Sequence, residues 1–227
     1  MRLPGDDARK ILVVLRGTPG DSLEIVDSGG RIFAASLVVD GPVASASLRA
    51  ELAAPARAAL EISLAQGIPK GQKMDYVVEK ATELGIARIL PFSAERTVGD
   101  GERAGKIERW RRLAKSAAQQ CGRADVPDVA APLDFAALLA AFRAYELVLV
   151  PWELAAPIPL RERLPALLGA ARRVLVVIGP EGGFSGDETR AAEAAGARLV
   201  SLGSRILRTE TAGLVATAAL RYASGDL

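Results

Sequence analysis

A glycine-rich turn between an apolar strand and a helix constrains the fold more than any other feature of the sequence. Val174–Ile178 is a short run rich in β-branched residues, which is typical of a buried parallel strand. Gly179–Gly183 follows with the sequence GPEGG, whose glycines let the backbone turn sharply and let a ligand approach its amide groups. Ser185 and Glu188 then have capping-box spacing, and Gly196 predicts the end of the helix.

A second strand and loop come directly after this helix. Leu199–Leu202 predicts the strand, and residues 203–211 predict a loop that contains Arg208 and Glu210. The apolar segment after Thr211 predicts a final helix. Because ligands of open α/β sheets bind outside the carboxyl ends of the strands, we expect both loops to share a pocket at one edge of the sheet.

The residue pattern changes near residue 57, which predicts two domains, 1–57 and 58–227. The first 57 residues contain short runs of β-formers separated by turns, and this pattern predicts a small β-barrel. Its strands are predicted at Ile11–Arg16, Leu23–Asp27, Arg31–Asp40 and Val43–Leu52. Ala53–Ala56 has the composition of a linker.

Strands and helices alternate from residue 58 onward, so a parallel sheet covered by helices on both faces is expected. Further strands are predicted at Leu60–Ala65, Ile86–Phe92 and Leu147–Val150. One helix is predicted around Val77 and ends at Gly85, and another is predicted around Trp110. The fold class predicted from the residues is therefore α/β.

Histidine is absent and Cys121 is the only cysteine. Without these ligands we predict no metal site, and a disulfide framework is excluded. No apolar run reaches the roughly 18 residues of a membrane span, and the N-terminus lacks a signal-peptide core. We therefore expect a cytoplasmic protein whose chemistry uses carboxylates, Arg, Lys, backbone groups or a cofactor.

Basic residues are concentrated between Arg96 and Arg123, where eight basic side chains stand against three acidic ones. A solvated helix face is the ordinary explanation, and a footprint for a polyanion is the other. The glycine-rich turn can likewise be explained as an ordinary tight turn between a strand and a helix. Thr209 or Thr211 can be explained as a cap of the last helix. GxGxxG and GxxxxGK[ST] are both absent, which counts against a nicotinamide or ATP enzyme.

Several motifs taken together resemble one known family. They are GPEGGFS at 179–185, SLGSRILRTETA at 201–212, KGQKMDYVVEKATELGIARILPF at 70–92, ERTV at 95–98, and QQCGR at 119–123 followed by Pro127. This combination is similar to the small-subunit ribosomal RNA methyltransferases that modify uridine at N3, which belong to the SPOUT superfamily. The resemblance covers nearly the whole chain.

The resemblance implies a fold, a cofactor and partners. The fold would be an N-terminal PUA-like RNA-binding barrel at 1–57 and, at 58–227, a SPOUT domain whose parallel sheet is tied in a trefoil knot. The protein would be a homodimer that binds S-adenosylmethionine (SAM) and acts on small-subunit rRNA or the assembled small ribosomal subunit. The SAM-binding residues implied are Val150, Pro151, Glu153, Ile178, Gly179, Pro180, Glu181, Gly182, Gly183, Leu202, Gly203, Ile206, Leu207, Arg208, Thr209, Thr211 and Ala212.

We hypothesise roles for two side chains from the chemistry that this activity requires without histidine. Arg208 would support the developing negative charge or the target phosphate, and Glu210 would orient the base or accept its proton. The residues expected to contact RNA are Arg9, Lys10, Arg16, Lys70, Arg96, Arg109, Arg112 and Arg123. Many relatives have a histidine near Arg9 and Lys10, and here these two side chains and Arg16 would replace it as phosphate contacts.

Two other functions remain open from the sequence. One is a SPOUT methyltransferase that acts on another RNA or another atom. The other is a non-catalytic RNA-binding protein, although such a protein has no evident need for both the GPEGG and RTETA loops. A nucleotide-dependent α/β enzyme is a distant third, because the phosphate-binding motif that it requires is missing.

Overall fold

The chain forms two compact units, Met1–Arg57 and Ala58–Leu227. The computed structural model describes residues 1–27, 29–41, 43–53, 58–97, 104–154 and 160–227. Most of the predicted linker, from Ala54 onward, lies outside these residues, as do Val98 of the ERTV motif and Arg103 of the basic segment.

The first unit is a three-stranded antiparallel sheet with a helical segment packed on it. Strands β1 (Ser22–Val26), β2 (Ile32–Asp40) and β3 (Val43–Leu52) lie in this order. The helical segment consists of α1 (Gly5–Arg9) and a π-helical turn over Lys10–Val14. Its small core is formed by Leu3, Ala35, Leu37, Ala44 and Ala46.

The predicted strand at Ile11–Arg16 is wrong, since the π-helical turn occupies most of it. Ile11 and Leu12 pack against the core, whereas Val13 and Val14 are 66% and 70% exposed. Residues 11–15 are all apolar, so they have no alternation that would distinguish a strand from a helix. Arg16, at φ +54°, ends the segment. The three other predicted strands of this unit are confirmed.

The second unit is built on a six-stranded sheet in which every described pairing is parallel. Its strands are β4 (Glu61–Gly67), β5 (Arg88–Phe92), β6 (Asp128–Val129), β7 (Leu147–Pro151), β8 (Arg173–Ile178) and β9 (Arg198–Val200). Their order across the sheet is β6-β5-β4-β8-β7-β9. Because the strands are parallel, the loops after β7, β8 and β9 leave the sheet at the same edge.

Helices cover both faces of this sheet, as the alternating pattern predicts. They are α2 (Lys73–Glu83), α3 (Ala104–Cys121), α4 (Phe135–Ala141), α5 (Leu160–Leu168), α6 (Gly186–Ala194) and α7 (Thr209–Ser224). Side chains of α2, α3, α5 and α7 pack in one core, and those of α4 and α6 pack in the other. Neighbouring strand residues such as Val174 and Leu175 belong to opposite cores.

The C-terminal helix α7 is fixed near its end by one buried arginine. The Arg221 guanidinium donates to the carbonyl oxygens of Leu60, Leu84 and Gly85 and pairs with Asp226. Burial lowers the pKa of Arg221, and the charge of Asp226 opposes this effect. Gly85 has φ +80°, and a Cβ there would lie 3.0 Å from the guanidinium, so this position favours glycine.

The connection from β7 to α5 is tied at both ends to the segment that follows β9. The Trp152 amide donates to Val200 O at 3.0 Å, and the Leu160 amide donates to Ser201 O at 2.9 Å. Residues 200 and 201 therefore lie against both the beginning and the end of this connection.

Candidate active site

A cleft of about 440 Å³ lies where the loops after β8 and β9 meet, as the sequence predicts. Its lining includes Glu210 and most of the residues expected to hold a cofactor. The cofactor residues that line it are Pro151, Glu153, Ile178, Gly179, Pro180, Glu181, Gly182, Gly183, Ile206, Leu207, Arg208, Thr209 and Ala212. Lys73 and Phe184 also line the cleft, and neither was assigned to the site from the sequence.

Four of the predicted cofactor residues are not in this lining. Val150 is buried in the core between the sheet and α4, on the opposite side of its strand from Pro151. Leu202 packs against the other core, and Gly203 and Thr211 are exposed outside the cleft lining.

The glycine-rich loop lies directly against the end of β4. A Cβ on Gly67 would be 2.5 Å from Pro180 N, so a side chain cannot be placed there without moving the loop. Gly183 has φ +66°, and its amide donates to Pro180 O at 2.9 Å, which closes the turn. The loop is therefore a close-packed element of the site.

Thr209, at the start of α7, is hydrogen-bonded to two neighbouring segments. Its hydroxyl donates to Gly179 O at 2.6 Å and accepts from Gln66 Nε2 at 2.8 Å. Gln66 is fully buried at the end of β4. These bonds hold the first turn of the helix against the glycine-rich loop, so the Thr209 hydroxyl joins α7 to this loop and does not cap the helix.

Glu181 links the glycine-rich loop to the segment that precedes α2. Its Oε1 accepts hydrogen bonds from the Lys70 amide and from Lys73 Nζ, each at 3.0 Å. Burial raises the pKa of Glu181, but the hydrogen bonds, led by that from Lys73, outweigh it and hold the pKa below its ordinary value. The Glu181 carboxylate therefore joins the glycine-rich loop to the segment that contains Lys70 and Lys73.

Glu210 and Arg208 lie on either side of Thr209. Lys73 Nζ is 3.8 Å from Glu210 Oε2, and this oxygen is buried without a hydrogen-bond partner among the described residues. Arg208 is the N-cap residue of α7 and is exposed, and the described residues offer its side chain no ion-pair partner. The cleft thus brings together a carboxylate with a free oxygen and an unpaired guanidinium.

Arg96 is attached to the outer side of the glycine-rich loop. Its Nη1 donates to Gly182 O at 3.2 Å, and a Cβ on Gly182 would come within 2.8 Å of Arg96 Cβ. The neighbouring Glu95 amide donates to Glu188, the capping-box residue of α6, at 2.8 Å. Arg96 is therefore held beside the cleft, with its side chain still exposed.

The predicted RNA-contacting residues are not all free on the surface. Arg112 and Lys70 are exposed, and Arg109 is exposed but paired with Asp75. Arg9 and Arg16 are exposed in the first unit, where Lys10 is half-buried.

Arg123 differs from the expectation that it faces RNA phosphates. Only 14% of its side chain is exposed. Its Nη1 donates to Thr82 O at 2.7 Å and to Ile86 O at 3.0 Å, and Asp125 pairs with the rest of the guanidinium. Thr82 lies in the last turn of α2 and Ile86 lies just beyond its end, so Arg123 is a structural residue that satisfies carbonyl groups at the end of this helix.

Comparison with known proteins identifies the family. A model of the RNA methyltransferase domain matches residues 56–221. Ribosomal RNA small subunit methyltransferase E of Mycobacterium bovis is 36% identical over 95% of this chain and 84% of that protein. The chain belongs to this family. The Synechocystis member is 35% identical over 90% of this chain, and the Bacillus subtilis member is 35% identical over 72% of it. The matches span 67% and 66% of those two relatives.

Solved structures of ribosomal RNA small subunit methyltransferase E and similar proteins share the fold. The protein from Neisseria gonorrhoeae, bound to SAM, has a TM-score of 0.86 and 31% identity, covering 98% of this chain and 91% of its own. A methyltransferase from Legionella pneumophila, also bound to SAM, has a TM-score of 0.85 and 30% identity, with the same coverage. The SPOUT α/β fold class expected for the second unit is thereby confirmed.

Two further properties concern only the described part of the chain. No three His, Cys, Asp or Glu side chains within it form a group that could hold a metal ion. None of its helices combines the length and hydropathy of a membrane span.

Proposed function

We propose that this protein transfers the methyl group of SAM to N3 of a uridine in small-subunit rRNA. The cleft that joins the GPEGG loop to the start of α7 supports this proposal most directly, because two SAM-bound relatives have the same fold. An rRNA substrate would place the protein in the cytoplasm, as its sequence predicts.

The residues of the cleft fit this cofactor. Gly179, Gly182 and Gly183 line the cleft without side chains, so polar atoms of the donor would be able to approach the backbone of this loop closely. Ile178, Leu207 and Ala212 supply apolar surface for its ring. When bound, SAM supplies an electrophilic methyl group, so the protein needs neither a metal nor a covalent nucleophile.

The remaining task is to remove the proton from uracil N3, which is a poor nucleophile while protonated. We assign this proton to Glu210, since its carboxylate lines the cleft beside Arg208 and its Oε2 has no hydrogen-bond donor among the described residues. Arg208, exposed beside the cleft and unpaired, would stabilise the negative charge that develops on the base.

RNA binding would use the basic residues of both units, together with exposure of the target base from its stack. We also propose the homodimer and the trefoil knot that the family resemblance implies. The two hydrogen bonds from Trp152 and Leu160 to residues 200 and 201 support this proposal, because both ends of the connection from β7 to α5 lie against residues that precede α7.

Replacing the two proposed catalytic side chains tests this function. We expect Arg208→Ala to lower kcat by about 10²–10³-fold and Glu210→Gln by about 10²–10⁴-fold, with SAM affinity changed far less. Methyl transfer is measured on small ribosomal subunits from a strain that lacks the protein, and SAM binding is measured by calorimetry. Arg205→Ala and Glu193→Gln, both exposed and outside the cleft lining, are matched controls.

The product and the binding data separate the alternatives. Mass spectrometry of the digested rRNA should show 3-methyluridine; a different methylated nucleoside would make the protein a SPOUT methyltransferase of other specificity. RNA binding without detectable SAM binding would support a non-catalytic RNA-binding protein. Near-normal turnover in both variants would overturn the two assigned roles.

A further inference from the structure

The ammonium group of Lys73 lies between two carboxylates from different loops of the cleft. Its Nζ is 3.0 Å from Oε1 of Glu181, on the glycine-rich loop, and 3.8 Å from Oε2 of Glu210, in the first turn of α7. Lys73 itself is the first residue of α2. One cation therefore joins three segments that are distant in sequence, a feature that the polar sequence around Lys73 does not reveal.

The ammonium group of Lys73 compensates the charge of the Glu210 carboxylate. Only 15% of the Glu210 side chain is exposed, and its Oε2 has no hydrogen-bond donor among the described residues. A carboxylate that has lost most of its water is costly unless a positive charge compensates it. Within the described ranges, Lys73 is the one basic side chain within 4.0 Å of that carboxylate.

The geometry also prevents Lys73 from forming a hydrogen bond with Oε2 of Glu210. At 3.0 Å, Lys73 donates a hydrogen bond to Glu181, whereas 3.8 Å is beyond hydrogen-bond reach of Glu210. The Lys70 amide holds Glu181 in place from the same side. Glu210 thus has a compensating charge nearby that forms no hydrogen bond with its Oε2.

We propose that Lys73 is a positioning residue for Glu210. It compensates the charge of the carboxylate, and its hydrogen bond to Glu181 holds the ammonium group 3.8 Å from Oε2 of Glu210, too far to form a hydrogen bond with it. This inference rests on the proposed function, since it assumes that Glu210 takes the proton from uracil N3.

A double-mutant cycle tests this role. Lys73→Met, Glu210→Gln and the double variant are compared in methyl transfer from SAM to small ribosomal subunits from a strain that lacks the protein. Turnover is divided by the concentration of SAM-binding sites from calorimetry, so that misfolded protein is not counted. We expect Lys73→Met to lower kcat by about 10- to 100-fold, the range that coupled neighbouring groups produce, with a smaller change in SAM affinity.

The expected pattern is specific to action through Glu210. The double variant should be no slower than Glu210→Gln alone, because Lys73 has nothing left to position. Lys73→Arg keeps the charge and should recover most of the lost turnover. Lys80→Met is the matched control, since Lys80 is on the same helix between Glu79 and Glu83, 2.8 Å from each, and outside the cleft lining.

The outcomes distinguish this inference from the proposed function. If Glu210→Gln is slow but Lys73→Met behaves like Lys80→Met, the role of Lys73 is wrong and that of Glu210 stands. Multiplicative losses in the double variant would show that Lys73 acts independently of Glu210, which also overturns the inference. Full turnover of Glu210→Gln would instead refute the assigned proton acceptor.

Discussion

Glu181 illustrates how one side chain serves both the fold and the site. It belongs to the glycine-rich loop, yet its carboxylate accepts from the Lys70 amide and the Lys73 ammonium of another segment. The turn is thereby tied to that segment by one of its own side chains. A substitution here should affect stability as well as the arrangement of the cleft.

The stability contributed by Glu181 should depend on pH. Its folded-state pKa lies below the ordinary value of about 4.3, so the ionised carboxylate stabilises the fold above that pH. This contribution is lost as the pH falls through the lower folded-state value. We therefore expect Glu181→Gln to lower Tm at neutral pH, and the difference from the unchanged protein to shrink on acidification.

Thermal melts followed by circular dichroism at neutral and at acid pH would measure this difference. Glu193→Gln, on an exposed position of α6, controls for the substitution itself. A Tm difference for Glu181→Gln that stays constant or grows with acidification would contradict a stabilising role for the ionised Glu181 carboxylate.

At the scale of elements, α7 determines whether the cleft exists. It begins at Thr209, which is bonded to Gly179 and Gln66, and it packs on the sheet through Gly213. A Cβ at Gly213 would lie 3.1 Å from Leu64 Cδ1 and 3.4 Å from Ile178 Cγ1. The absence of a side chain therefore sets how closely this helix approaches β4 and β8.

A large side chain at Gly213 should push α7 away from the sheet. We expect Gly213→Leu to lower the free energy of unfolding by about 1–3 kcal/mol through overpacking, and to weaken SAM binding because the helix start moves with it. Denaturant unfolding and calorimetry measure the two effects. Gly105→Leu is the control, since no atom lies within 4 Å of a Cβ at that helical position; equal stability of the two variants would refute close packing at Gly213.

The elements that were predicted correctly from the sequence are those with a clear local pattern. Val174–Ile178, the capping box at Ser185 and the turn at Gly85 each depend on residues that are neighbours in the chain, and all are confirmed. The two-residue strand β6 is too short to show any period, and α5 contains Pro165, which argues against a helix in the sequence.

Site residues whose partners are distant in sequence could not be assigned in this way. Lys73 meets Glu181 across 108 positions, and Arg123 meets the carbonyl of Thr82 across 41. Nothing in their local sequence distinguishes a lysine that joins two loops, or an arginine that closes a helix end, from a solvated charge. The two loops of the cleft were predictable because each follows a recognisable strand of a parallel sheet.

At the scale of the whole molecule, the cleft proposed to bind SAM lies within the second unit, and the basic residues proposed to contact RNA are distributed over both. The first unit contributes Arg9, Lys10 and Arg16. Donor binding and RNA binding should therefore be separable by substitutions in the first unit.

We expect the triple variant Arg9→Gln, Lys10→Gln, Arg16→Gln to bind small-subunit rRNA more weakly and with a smaller salt dependence, while SAM affinity is unchanged. Each lost phosphate contact should reduce the slope of log K against log salt by about 0.7–0.9. Filter binding over a salt series measures this slope. Arg143, Arg190 and Arg198 are exposed in the second unit, and their triple Gln variant removes the same charge; an equal loss of slope there would refute a specific RNA role for the first unit.

The contacts of Arg221 have a consequence for the order in which the protein folds. This residue, in the last turn of α7, bonds to Leu60 across 161 positions, and Thr209 bonds to Gln66 across 143. Contacts of such long sequence separation form slowly and late. A nascent chain would therefore have no methyl-donor pocket until its last helix has been synthesised and has docked, so that SAM binding reports on complete folding of this unit.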